Sequence, residues 1–195
     1  MKRFLLSALL AATVVLPVAA PVATAATINV FAFQNSSTGG VGAVAGVLNV
    51  GEAFSVSVDP LDLWSAGALP RWSNADGLTG NLLATGSDES GQAINTLIGQ
   101  SFGLHSQGNL SAAFGTLVGR IGGGNFFAVG TSYAGIAANS GQLELFYWDS
   151  NFGDNREFIT ATVNTSVVPL PAAAWLFIAG MLGMVGVTRR RRNAA

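Results

Sequence analysis

The chain has 195 residues, with 10 acidic and 9 basic side chains, a net charge of −1 and 50% hydrophobic residues. It contains no cysteine, which excludes a disulfide framework, a zinc–thiolate site and a cysteine nucleophile. The length suits one small domain between two targeting segments, and much of the apolar character sits in those segments, 4–26 and 170–187.

The N-terminus has the three zones of a secretory signal peptide. Lys2 and Arg3 supply the positive start, 4–16 is an apolar core too short to span a bilayer, and Pro17 and Pro21 break the helix. Ala23-Thr24-Ala25 is a small-x-small cleavage site, so 1–25 reads as signal peptide and Ala26 as the first mature residue. An uncleaved anchor is the other reading.

In the exported part, 26–167, short alternating runs sit between glycine, serine, threonine and asparagine. Residues 27–33 read as a strand with Ile28, Val30 and Ala32 on one face and Phe31 and Phe33 on the other. Residues 41–50 form a weaker, glycine-interrupted candidate. Ala53–Val58 alternates cleanly, Phe54, Val56 and Val58 against Ser55 and Ser57. The stretch 63–107 is the least regular; its Trp64 and Trp72 argue against full disorder, and 94–98 reads as one or two helical turns. Strands are expected again at 116–121, 126–129, 142–147 and 158–167. Gly122-Gly123-Gly124 makes a hairpin turn and lacks the Lys-Ser/Thr of a phosphate loop. Spaced short strands with Gly/Asn/Asp turns predict an all-β fold, a small jelly-roll-like β-sandwich, flanked by an N-terminal signal-peptide helix and a C-terminal transmembrane helix.

Residues 170–187 carry no charge over a length that just crosses a hydrocarbon core, and Arg189, Arg190, Arg191 and Arg192 follow. Arginines stay cytoplasmic, so with a signal peptide in front the body lies outside. Val168-Pro169-Leu170-Pro171-Ala172, the apolar helix and the arginine cluster resemble the VPLPA type of PEP-CTERM sorting signal over 168–192. The resemblance implies recognition by an exosortase-type membrane protease, transient residence in the inner membrane through the helix, removal of the tail, and transfer of the body to the cell-envelope surface or extracellular matrix. A plain membrane anchor is the alternative.

All 10 acidic residues lie in the exported part, but only Arg71, Arg120 and Arg156 of the basic ones do, so that part carries −7. Such a domain is a poor nucleic-acid binder and a reasonable host for a hard cation. The richest constellation is 148–155, Trp-Asp-Ser-Asn-Phe-Gly-Asp-Asn, between two strong strand candidates. Asp149, Asp154 and Asn155 offer side-chain oxygens, Asn151 adds a side-chain or backbone one, and Gly153 permits the tight turn. Calcium takes six to eight oxygens, of which this loop supplies four. The other reading of these residues is an Asx-turn loop without metal.

Phe114-Gly115-Thr116-Leu117-Val118-Gly119-Arg120-Ile121-Gly122, then Asn139-Ser140-Gly141-Gln142-Leu143-Glu144-Leu145, then the Asp149–Asn155 loop, resemble the PA-IL-like galactose-binding bacterial lectins. Gly51-Glu52-Ala53-Phe54, Trp64 and Asn74-Ala75-Asp76-Gly77 fit the same pattern. The resemblance implies a β-sandwich with Ca2+ at one end. Asp149 matches the leading aspartate ligand, Asp154 and Asn155 the closing pair, and Asn151 or its neighbour a carbonyl ligand. In that family calcium bridges two sugar hydroxyls, and His105-Ser106-Gln107-Gly108 sits where a sugar-contacting loop would be, with His105 and Gln107 as the contacts. No tyrosine follows Trp64 at the place that would donate a further ligand; Asp76 is a candidate substitute.

These residues predict a surface or matrix protein with a calcium-dependent carbohydrate-binding domain, its partner a cell-surface or matrix polysaccharide. The alternative is a structural protein of the same fold without a ligand. An enzyme is not expected: there is no nucleophile elbow, His105 is the sole histidine, and Asp149 and Asp154 share one loop. Trp64 and Trp72 suit either a sugar face or the core, and Arg120 either solvent or an acid.

Overall fold

The computed structural model describes residues 23–166. The predicted signal peptide 1–25 as far as residue 22, the VPLPA motif, the predicted transmembrane helix 170–187 and the arginine cluster lie outside the described residues. Among the described residues no helix is long and apolar enough to cross a membrane.

The strands, in chain order, are β1 Ala23–Phe31, β2 Ala43–Leu48, β3 Ala53–Val58, β4 Trp64–Ser65, β5 Trp72–Ser73, β6 Leu82–Leu83, β7 Leu97–Gly99, β8 Leu104–Gln107, β9 Leu110–Ala113, β10 Leu117–Ile121, β11 Phe126–Ala128, β12 Ser132–Ile136, β13 Gly141–Tyr147 and β14 Phe158–Ser166. Two four-stranded antiparallel sheets, ordered β1-β14-β3-β12 and β11-β10-β13-β2, form the sandwich. The alternation read from the sequence sets their inner faces. Val30, Phe54, Val56, Val58, Ile159, Ala161 and Val163 from the first sheet meet Leu48, Leu117, Ile121, Leu143, Leu145 and Tyr147 from the second in one core. Phe31 and Phe33 stand on the opposite face of the first strand run, 37% and 47% exposed, while Val30 and Ala32 are fully buried.

The register gives the sandwich two distinct ends. At one, β13 runs into 148–157 and then β14, while β1 runs through 32–42 into β2. At the other, tight links 49–52, 122–125 and 137–140 join β2 to β3, β10 to β11 and β12 to β13; Ala23 and Ser166, paired with each other, lie there too. Ala23 and Ala25, the predicted cleavage residues, are on β1 opposite Ser166 and Asn164.

Three expectations change. The helical turn at 94–98 is replaced by strand β7, which pairs with β6. A helix would place Ile94 and Ile98 on one face, four residues apart, but Ile94 is 67% exposed and Ile98 fully buried. Strand β12 has no counterpart in the sequence reading, because an edge strand of Ser-Tyr-Ala-Gly-Ile carries little alternation. The 41–50 run shortens to β2, where the pairing with β13 slips at Leu143/Glu144 and Gly46 takes φ 146°. The irregular middle resolves into three two-stranded sheets, two of them around a small core of Leu63, Trp72, Ala84 and Ile98. Arg120 lies directly across from Glu144 in the β10–β13 ladder, its Nη2 2.9 Å from Glu144 Oε2 and its guanidinium over the Phe146 ring.

Candidate functional site

The loop after β13 is held from beneath by Trp148. This side chain is fully buried, its Nε1 donates to the His105 carbonyl at 3.0 Å, and its backbone N donates to the Thr116 carbonyl at 3.0 Å. The backbone of Asp149 is gripped by a segment 111 residues away in sequence. Its carbonyl accepts from Thr38 Oγ1 at 2.7 Å, and its amide donates to Ser37 Oγ at 3.2 Å. The Asp149 side chain is therefore buried, 5% exposed, with Oδ1 accepting from the Ser150 amide at 2.6 Å and the Asn151 amide at 3.4 Å.

Burial pushes the Asp149 carboxyl above the usual carboxylate range. The Asn151 and Ser150 amides and the Asn155 side chain oppose that shift, and the charge of Asp154 adds to it. Asn155 is equally buried; its Nδ2 donates to the Ala32 carbonyl at 3.1 Å, and its Oδ1 is buried without a partner. Asp154 is half-exposed, with Oδ2 3.7 Å from Arg71 Nη1. Asn151 is exposed and its Oδ1 accepts from the Gly153 amide at 3.3 Å, an Asx turn that shapes the loop. Behind the loop the Tyr147 hydroxyl is fully buried and also lacks a partner; burial, then the charges of Asp149 and Asp154, drive its pKa well up. A Cβ at Gly115 would stand 2.7 Å from Ser73 Oγ and 3.2 Å from Tyr147 Oη, so these two unpartnered hydroxyls converge on that glycine.

Among the described residues no three His, Cys, Asp or Glu side chains gather at metal-binding distance. The donors available to a cation are two carboxylates, Asp149 and Asp154, the orphaned Oδ1 of Asn155 and nearby carbonyls. That all-oxygen set suits calcium rather than a soft metal. A buried oxygen with no hydrogen-bond donor is what a hard cation would satisfy, so the residues present fit the ion.

The residues predicted to touch a sugar are placed beside this loop with other partners. Gln107 Nε2 donates to the Ser37 carbonyl at 3.0 Å, and Thr38 Oγ1 reaches both Gln107 Oε1 at 3.4 Å and the Asp149 carbonyl. The β8–β9 hairpin, the 36–40 segment and the Asp149 loop are thereby laced together. The His105 ring packs between Trp148 and Phe114, centroids 5.1 and 5.5 Å away, and its Nε2 is buried without a partner. Asp76 is engaged elsewhere: its Oδ1 accepts from the Thr131 amide at 2.7 Å. Trp64 is fully buried and Trp72 8% exposed, so both belong to the core and neither offers a face to a ligand.

Sequence reasoning passed over Ser37, Thr38, Gly67, Arg71, Ser73 and Tyr147. None carries a local signal: Ser37, Thr38, Gly67, Arg71 and Ser73 come from distant segments, and Tyr147, next to the loop, reads as an ordinary strand residue. Gly67 has the clearest role: at φ 111°, it lies where a Cβ would overlap the Asp154 carboxylate. Gly67→Ala should cost about 1–3 kcal/mol from backbone strain and push Asp154 outward. A urea titration would measure the first effect. Equal urea midpoints for variant and parent would contradict it.

No protein-family model matches the chain, and no curated protein matches it. Among solved structures the chain is similar to the EclA N-terminal domain, a PllA-like lectin, at 19% sequence identity and a TM-score of 0.43, over 71% of this chain and 94% of that one.

Proposed function

We propose that the described domain is a calcium-dependent carbohydrate-binding module of an exported protein, acting on the cell surface or in the extracellular matrix. The observation that carries this reading is the buried pair Asp149 and Asn155. A carboxylate with no basic partner among the described residues lies near an amide oxygen with no donor, and Asp154 stands beside them. Calcium would be held by Asp149, Asp154, Asn155 and a carbonyl at or near Asn151, and would supply open coordination positions for two hydroxyls of a polysaccharide. Gln107 and His105 would flank that ligand from the β8–β9 hairpin. Calcium should raise binding to immobilised galactose-containing glycans, and Asp149→Ala should abolish that rise. Calcium-stimulated binding that survives Asp149→Ala would sink the bridged mechanism.

One observation favours a structural envelope protein without a ligand: Arg71 already sits 3.7 Å from Asp154 and supplies part of the charge that a cation would. Both side chains are substantially exposed, so this pair is weak and screened.

The same proposal includes processing at the C-terminal signal, with Val168 to Ala172 recognised by an exosortase-type protease and Arg189 to Arg192 holding the tail's cytoplasmic end. Deleting 169–192 should shift the protein from the envelope to the periplasm or medium, as read by fractionation and immunoblotting. An unchanged distribution would refute the tail's role.

A further inference from the structure

The end of the sandwich opposite the Asp149–Asn155 loop holds a cavity of about 380 Å³. It opens between the edge strands of the two sheets, β11 and β12, where no further strand closes the core. Its floor is aromatic. Phe54, Phe127 and Tyr133 form a mutual cluster with ring centroids 5.0 to 6.1 Å apart, and Ile136, 68% exposed, forms one wall. Asn125 and Asn139, both exposed, bring primary amides to the same cavity from the turns 122–125 and 137–140. They differ from nearby Asn109, whose side chain is engaged at both ends with the Phe126 backbone.

The geometry points to a second binding site here, for a neutral carbohydrate ring, independent of calcium. Three features select that ligand class. No Asp, Glu, Lys, Arg or His side chain lines the cavity, so a charged ligand would find no counterion. Aromatic faces suit the apolar C–H face of a pyranose. Each amide offers a donor and an acceptor side by side, which matches hydroxyls that also do both, whereas an acyl chain would leave these amides desolvated and unpaired. A proline-rich segment would use the amide N–H groups but leave their oxygens unmet. Size and lining also fall within the range of small-ligand pockets. The site shares no residue with the Asp149 loop, so either site functions without the other.

The test uses the intact chain in a non-glycosidic detergent, with EDTA present throughout. The probes are galactose, glucose, N-acetylglucosamine and β-1,4-linked tetrasaccharides of the last two, titrated by calorimetry. At least one should bind, with affinity unchanged in Asp149→Ala and about tenfold weaker in both Asn125→Ala and Asn139→Ala. The two asparagines are exposed, so melting temperatures should stay the same and folding cannot account for the loss. Binding should also perturb the near-ultraviolet dichroism of Tyr133, removed in Tyr133→Leu. Absence of binding in EDTA across the panel, or binding indifferent to both asparagine variants, overturns the proposal. So does asparagine-independent binding of a proline-rich peptide or a fatty acid in place of the sugars. Loss of calcium-stimulated binding in Asp149→Ala reports on the other site alone, which keeps the two failures distinguishable.

Discussion

Adding calcium to the metal-free 26–167 fragment should raise its melting temperature by roughly 5–10 °C, and Asp149→Asn should remove that rise. A ligand present at about a hundred times its dissociation constant stabilises the native state by about 2.7 kcal/mol. For a domain of this size each kcal/mol corresponds to about 2–4 °C. The asparagine variant is chosen because its Oδ1 can still accept from the Ser150 and Asn151 amides, so the loop keeps its shape while losing its charge. Without calcium the variant should melt no lower than the parent at neutral pH, since burial holds the Asp149 carboxyl above its ordinary range and the ionised form is disfavoured in the fold. The cost is fully present above the folded-state pKa and is relieved as pH falls through it. The gap between parent and variant should therefore close on acidification. Identical melting curves for the parent with calcium and with EDTA would remove both the metal and the mechanism built on it.

Trp64→Ala should destabilise the domain by about 3–5 kcal/mol, a large fraction of the total stability of an ordinary domain. The indole is fully buried and meets the Tyr147 ring edge-to-face at 4.5 Å. Its Nε1 lies 2.9 Å from the Gly115 carbonyl and 3.2 Å from the Asn74 carbonyl. Truncation opens a cavity beneath the candidate site and leaves both carbonyls without this donor. Trp64→Phe should retain most of the packing and lose the hydrogen bonds, at roughly 1–3 kcal/mol. Urea unfolding of the two variants measures the difference. A Trp64→Phe protein of parental stability but altered glycan affinity would place the indole at a ligand after all.

Much of the fold was legible because it rests on period-two alternation. Phe54, Val56 and Val58 against Ser55 and Ser57 name a strand and its inner face without any knowledge of the partner strands. Local reading failed at 94–98, where the sequence is expected to form one or two helical turns. Pairing of Leu83 with Leu97 decided otherwise, and backbone pairing with a distant segment outweighs a weak local period. The candidate loop was visible through its oxygen-rich composition alone. Its burial was not, because Asp149 is enclosed by Ser37 and Thr38, which carry no motif of their own.

The all-β class, the sandwich strands other than β12, the acid balance of residues 26–167 and the loop that concentrates hard oxygen donors are legible in the chain alone. These depend on residue type and local order. Tertiary structure alone decided that Asn155 keeps a buried oxygen unpartnered and that Arg71 stands beside Asp154. It also decided that both tryptophans of the irregular middle are buried, and that Phe54, Phe127 and Tyr133 meet at the far end beside two free amides. Each of these arises where separate segments, as far as 123 residues apart for Ala32 and Asn155, are brought together by strand register and sheet packing. Alternation along one strand states which face is inward, and carries no information about what that face will meet.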